Sequence, residues 1–253
     1  MSGHNKWSKI KRQKGIDDAK KGQIYTKLTK EIIMAAREAG GDTENNFKLK
    51  MAIQKARESS MPKDTIERAV ERGSKGNEGA ILEELTLEGY GPSGTAILVD
   101  TISDNRNRIV QEIRNVFNKQ GGTMGSAGSV AWLFDKKGII TIDGEGKDPD
   151  EITLQAIDAG ADDVRIEDGS IEIFTKPTEL EMVKKALEKI HITAVSAELA
   201  KIPKLSIEVE EKAAIQTLKL LDRMEELDDV QKVYSNVNFT DQVIEKFNSG
   251  DYE

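Results

Sequence analysis

Hydrophobic residues in the first third of the chain recur at helical spacing. Ile24, Leu28, Ile32, Ala35, Ala36 and Ala39 line one face of a helix, and Gly40-Gly41 stops it. Asn45 or Asn46 can cap a second helix, with Leu49, Ala52, Ile53 and Ala56 inward. Pro62, tolerated in a first turn, opens a third helix with Ile66, Ala69 and Val70, closed by Gly73. The pattern predicts a basic arm followed by a three-helix bundle, together spanning residues 1–78.

Past the polar link Ser74 to Gly79 the period changes to two. Leu85 and Leu87 alternate with Glu84, Thr86 and Glu88, an edge-type strand with one wet face. Gly91-Pro92-Ser93-Gly94 turns the chain into a more buried strand over Thr95 to Ile102. Asp104 or Asn105 then caps a helix carrying Ile109, Val110, Ile113, Val116 and Phe117. Gly121-Gly122 ends it, and a glycine-rich loop to Gly128 leads to a strand predicted over Ser129 to Phe134.

Residues 138–199 read as strand, helix, hairpin, helix, strand. Gly138 to Ile142 is the first strand, and Asp148-Pro149-Asp150-Glu151 opens an acidic, capped helix. Val164 and Ile166 pair across Asp168-Gly169 with Ile171 and Ile173. Thr178-Glu179-Leu180-Glu181 reads as a capping box, and Ile192 to Leu199 as the last strand. This βαββαβ order predicts a ferredoxin-like unit. Beyond Pro203 come a short strand at Leu205–Glu208, a helix around Leu218 and Leu221, and a strand at Val233 to Phe239. The tail from Thr240 reads as polar and frayed. Neither flank closes a core alone. The expectation is an α+β protein: the bundle over 1–78, one discontinuous domain from 79–134 and 205–240, and the ferredoxin-like domain of 135–204 inserted in it.

Charge divides the chain along the same line. Residues 1–76 hold 18 basic and 10 acidic side chains; of the chain's 37 and 45, residues 77–253 hold 19 and 35. A basic end on an acidic body points to nucleic acid as the partner of that end. Lys6, Lys9, Lys11, Arg12, Lys14, Lys20, Lys21 and Lys27 can neutralise phosphates, and Trp7 among them can stack on bases. The plainer reading of such a run is a solvated terminus. Within the acidic part, Arg106 and Arg108 follow Asp104-Asn105 at a helix start, where free N–H groups attract anions. Alternatively Asp104 and Asn105 merely cap, and the arginines pair with nearby carboxylates.

The sequence also narrows the chemistry. It contains no Cys and only His4 and His191, which excludes disulfides, thiolate catalysis and a histidine-rich metal site. His4 reads as either a nucleic-acid contact or one more polar arm residue, and His191 as structural. The loop Gly121 to Gly128 lacks the pattern of a phosphate-binding P-loop, and a strand rather than a helix is expected after it. No cofactor or metal is expected. No apolar run reaches membrane-spanning length, and no apolar leader core precedes the bundle, so a cytoplasmic protein is expected. No zipper or dimerising heptad is evident, and the expected state is a monomer.

Several motifs together resemble the YebC/PmpR family: Gly3-His4-Asn5-Lys6-Trp7-Ser8-Lys9-Ile10-Lys11, Asp18-Ala19-Lys20-Lys21-Gly22, Ile24-Tyr25-Thr26-Lys27-Leu28, Met61-Pro62-Lys63-Asp64, Gly89-Tyr90-Gly91-Pro92, Asp104-Asn105-Arg106-Asn107-Arg108 and Gly128-Ser129-Val130. The resemblance runs nearly end to end. It implies the nested domain arrangement and a non-enzymatic regulator of gene expression, customarily labelled a DNA-binding transcriptional regulator. It equally implies a translation factor bound to RNA or the ribosome, because the family's mitochondrial relative is a translational activator. A metal-dependent enzyme with a carboxylate cleft between domains is a further alternative.

Overall fold

The computed structural model describes residues 18–75, 81–167 and 169–250. Residues 134–204 form one compact unit, and the described residues flanking them in sequence form another.

The helical part of the flanking unit comprises α1 (Asp18–Ala39), α2 (Phe47–Glu58) and α3 (Lys63–Ser74). Gly40, at φ +87°, ends α1. Asn46 caps α2 by accepting from the Leu49 N–H at 3.0 Å. Its amide donates to the carbonyls of Ala35 and Gly40, both at 2.7 Å, so one buried side chain ties α2 to the end of α1. Gly73 does not close α3, which runs on to Ser74. A Cβ there would stand 2.5 Å from the Ile33 carbonyl oxygen, so its bareness lets α3 close on α1. Leu28, Ile32, Ile33, Leu49, Ala56 and Ile66 form the core, joined by Leu82 and Ile102 from beyond the bundle.

The chain continues as a hairpin of β1 (Glu83–Tyr90) and β2 (Ala96–Ser103), in register from Glu83↔Ser103 to Tyr90↔Ala96. Helix α4 (Arg106–Lys119) follows, capped by Asn105, whose side chain accepts from the Arg108 N–H at 3.0 Å. The two-residue β3 (Thr123–Met124) pairs only with Gly89 and Tyr90. No strand forms over Ser129 to Leu133. Ala131–Leu133 is a single 3₁₀ turn, because the Glu88 carboxylate takes the N–H groups of Val130 and Ala131 that a ladder would use.

The unit of 134–204 begins with β4 (Phe134–Asp143), followed by α5 (Pro149–Asp158), β5 (Asp163–Glu167), β6 (Ser170–Thr175), α6 (Leu180–Lys189) and β7 (Ser196–Pro203). Its antiparallel sheet has the order β5-β6-β4-β7, the ferredoxin-like arrangement. The Val164↔Ile173 and Ile166↔Ile171 pairs form as the alternation requires. The expected capping box does not form: α6 starts after Glu179 with no side-chain cap. The last strand starts at Ser196 rather than Ile192, after a turn in which His191 takes φ +64°.

In the flanking unit, α7 (Glu211–Glu225) and β8 (Val230–Ser235) complete a sheet of order β3-β1-β2-β8. Leu205–Glu208 contributes one parallel bridge, Ile207↔Val237, in place of the expected strand. The tail is not frayed. Thr240 caps α8 (Asp241–Ser249), which sinks Val243 and Phe247 into the core of Ile97, Ile113, Phe117, Leu218 and Phe239. Ile244, half-buried, packs against the same core. No described helix is long and apolar enough to cross a membrane.

Candidate nucleic-acid interface

The outward face of α1 carries cations of the kind that meet phosphates, and part of that face is engaged within the molecule. Gln23, Lys27 and Lys30 share one stripe at helical spacing. The last carbonyls of a helix have no intrahelical donor and carry partial negative charge. The Lys27 ammonium donates to the Glu225 carbonyl at 2.5 Å and the Gln23 amide to that of Glu226 at 2.5 Å, at the end of α7. Lys30 donates to the Asp228 carbonyl at 3.1 Å and pairs with the Asp229 carboxylate. These side chains fasten the helical part to α7.

Asp229 is the centre of that junction. Its buried carboxylate accepts from Lys30, from the Ser103 hydroxyl at 2.7 Å and from the Arg108 guanidinium at 2.8 Å. Burial pushes this carboxyl's pKa up, and the hydrogen bonds from Arg108, Lys30 and Ser103 more than offset it, so the net shift is downward. Arg108 also holds Asp104 at 2.7 Å. The hydrogen bonds it donates to Asp229 and Asp104 raise its pKa above the ordinary arginine value. Arg108 is therefore committed to carboxylates, whereas Arg106, two residues earlier, is exposed and has no partner among the described residues.

Arg106 has company. Asn107, Arg108, Gln111, Arg114, Asn115, Asn118 and Lys119 make α4's outer surface, all exposed, and Glu112 is the only acid in the helix. Arg114 and Lys119 also lack partners among the described residues, as do Lys50, Arg57 and Arg72 of the bundle. By contrast Lys48, Lys55, Lys63 and Lys75 each pair with a glutamate. Asn, Gln and Arg side chains are those that contact phosphates and base edges.

The glycine-rich loop after α4 does hold an anion, supplied by the chain itself. The buried Glu88 carboxylate accepts from the N–H groups of Gly128 at 2.6 Å, Val130 at 2.8 Å and Ala131 at 2.7 Å. Gly125 donates to the Glu88 carbonyl at 2.8 Å. Among the described residues, no three His, Cys, Asp or Glu side chains converge as a metal-holding group.

Of the residues singled out from the sequence, Lys6, Trp7, Lys9, Lys11, Arg12 and Lys14, with His4, lie outside the described residues. Lys20 falls in the first turn of α1, and Lys21 is exposed on the same helix. Lys27 and Arg108 meet partners of the chain's own, and Arg106 faces solvent. Sequence reasoning missed Ser103, Asp229, Glu88 and the cations Arg114 and Lys119. Only the last two left a signal: from Ile113 to Phe134 the chain has no acidic residue at all.

Comparison with known proteins agrees along the whole chain. Residues 5–76 match the family profile described as the TACO1/YebC protein N-terminal domain, and residues 82–237 that of the TACO1/YebC second and third domain. A protein of Dehalococcoides mccartyi named "probable transcriptional regulatory protein" is 50% identical over 249 residues, covering 98% of this chain and 99% of that one. One of the same name from Herpetosiphon aurantiacus is 50% identical over 248 residues, 98% of each. The crystal structure of a conserved hypothetical protein from Aquifex aeolicus superposes with a TM-score of 0.82 at 39% identity, covering 88% of this chain and 93% of that one.

Proposed function

We propose, because the chain belongs to the TACO1/YebC family, that it is a non-enzymatic, nucleic-acid-binding regulator of gene expression acting in the cytoplasm as a monomer. The transcriptional reading, with DNA as the target, follows the names of its relatives. The observation that carries nucleic-acid binding is the distribution of charge. A chain with 45 acidic residues concentrates its cations in residues 1–76, and the part dominated by acids carries one helix, α4, whose outer face is cationic and amide-rich. Phosphate attracts the first and tolerates the second, while the acidic remainder is repelled.

A second reading, an RNA-binding translation factor, is favoured by Trp132, which stands 65% exposed beside an acid-free loop. Exposed rings suit unpaired bases better than paired ones. The deciding experiment is crosslinking in cells with nuclease-controlled recovery and sequencing of the retained nucleic acid. Promoter DNA is the result expected for a transcriptional regulator; messenger, transfer or ribosomal RNA moves the assignment to translation. Recovery of neither would overturn nucleic-acid binding.

A further inference from the structure

Trp132 and Tyr90 are large aromatic side chains left open to solvent, 65% and 41% exposed. They are not stray. Both polar edges are tied to one atom: the Trp132 Nε1–H donates to the Ser129 carbonyl at 3.2 Å and the Tyr90 hydroxyl donates to it at 3.1 Å. A ring whose polar edge is satisfied and whose orientation is fixed has its faces free for contact. The carbonyl itself is held in place, because Ser129 lies between Gly128 and Val130, whose N–H groups are bonded to the buried Glu88 carboxylate. Glu88 thus acts as an internal clamp that sets the loop, and the loop sets the two rings.

The surroundings are selective in charge. Residues 77–253 contain 35 acids, yet from Ile113 to Phe134 there is none, and this stretch includes Arg114 and Lys119, both exposed and without partners among the described residues. The end of α4 lies against the backbone of Tyr90. Gly122 donates to the Phe117 carbonyl at 2.8 Å, and a Cβ on Gly122 would stand 2.7 Å from the Tyr90 carbonyl oxygen. Lys119 therefore sits at the same end of the sheet as the Tyr90 ring. Two oriented rings, with Lys119 at the same end of the sheet and no acidic residue from Ile113 to Phe134, match the stacking platform of single-strand binders.

We infer that Trp132, with Tyr90, is a stacking platform for unpaired nucleotides of RNA or single-stranded DNA, with Lys119 meeting an adjoining phosphate. The inference rests on the nucleic-acid reading above and adds to it a specific surface and a preference for unpaired bases. Duplex nucleic acid does not stack on such rings, since its bases are already stacked on each other. The site is distinct from the basic arm, which acts through charge on either form.

The test uses the full chain and fluorescence anisotropy with three labelled probes of one mixed sequence: a single-stranded RNA, the same single-stranded DNA and the duplex DNA. Trp132→Ala is expected to weaken both single strands by roughly 5- to 150-fold while leaving the duplex unchanged. Trp132→Phe should retain most of the affinity, since a ring remains. Lys119→Ala should flatten the salt dependence on single strands by about 0.7 in log–log slope; Trp132→Ala should leave that slope as it is. Far-ultraviolet circular dichroism and melting of Trp132→Ala should match the parent, because so exposed a ring holds little of the core. In a Trp7→Phe background, Trp132 fluorescence should be quenched on addition of single strand. Parent-like binding of single strands by Trp132→Ala, or equal loss on duplex, would overturn the platform and leave nucleic-acid binding standing. If the parent binds none of the probes, both fall together.

Discussion

At the scale of single residues, the chain spends buried polar groups on joints. Asp229 joins α1, β2, α4 and the turn before β8 through Lys30, Ser103 and Arg108, and Glu88 joins β1 to the loop before β4. Neither was visible in the sequence: among 45 acidic residues, only the fold decides which lose their water. Asp229→Asn should therefore destabilise the protein by roughly 2–4 kcal/mol at neutral pH, because it leaves Lys30 and Arg108 facing a neutral group at a buried point. The pH dependence has a definite sign. The folded carboxyl lies below its unfolded value of about 3.9, so its contribution is complete above that value and is lost as pH falls through the lower, folded one. Denaturant melts of parent and Asp229→Asn should show a constant gap from neutral down to about pH 5 that closes in more acid solution. A gap unchanged at pH 3, or absent at pH 7, would show that the ionised carboxylate contributes no stability. Arg108 illustrates the limit of motif reading: Asp104-Asn105-Arg106-Asn107-Arg108 left phosphate binding and pairing with carboxylates both open, and the fold turns Arg108 to Asp229 and Asp104 and leaves Arg106 outward.

At the scale of elements, periodicity located the helices well because their apolar stripes are nearly uninterrupted. Ile66 and Ala69, or Ile109, Ile113 and Phe117, mark the buried face by their spacing alone. Periodicity failed where hydrogen bonds rather than apolar faces decide. Ser129 to Phe134 looks like a strand until Glu88 claims its N–H groups. The tail from Thr240 looks polar because only Val243 and Phe247 of α8 are buried in the core, with Ile244 half-buried against it. Gly73 shows a third case: it stands one residue before the end of α3, and its bareness serves packing and not the stop. Replacing it by Ala sets two effects against each other. Ala favours a helix by about 1 kcal/mol over Gly. The new methyl would lie 2.5 Å from the Ile33 carbonyl oxygen and 2.6 Å from the Ala36 Cβ, and such overpacking costs roughly 1–3 kcal/mol. The obstacle is the backbone of α1 and not a flexible tip, so the clash should win and Gly73→Ala should lower stability by about 1–2 kcal/mol in urea unfolding. A more stable Gly73→Ala protein would mean that α3 can shift away from α1 at little cost.

At the scale of the molecule, two expectations follow. The unit from 134–204 has its own sheet, and its ends pair as Phe134↔Pro203 in the ladder of β4 and β7. Replacing 135–204 by a short glycine-serine linker should leave a protein that still melts cooperatively, as the nested domain arrangement requires; a broad, non-cooperative transition would count against it. The other expectation concerns charge, which the sequence displayed more openly than any single contact. If about six cations of the basic arm meet phosphates, log K should fall against log salt with a slope near −5 on duplex and about −4 on single strands. Replacing Lys9, Lys11 and Arg12 together by Ala should flatten that slope by about 2–3 units and weaken all sequences alike. Lys27 provides the contrast. It lies in the same basic run, but its ammonium sits on the Glu225 carbonyl at the end of α7, where a cation is worth roughly 0.3–1 kcal/mol. Lys27→Ala should thus lower the melting temperature by a few degrees, on the order of 1–4 °C, and leave the salt slope unchanged. The measurements are binding titrations at several salt concentrations and a melt of each variant. Salt-independent binding by the parent would remove the arm as the anchor. A slope flattened by Lys27→Ala, with the melt unmoved, would place that lysine on the nucleic acid and off the helix end.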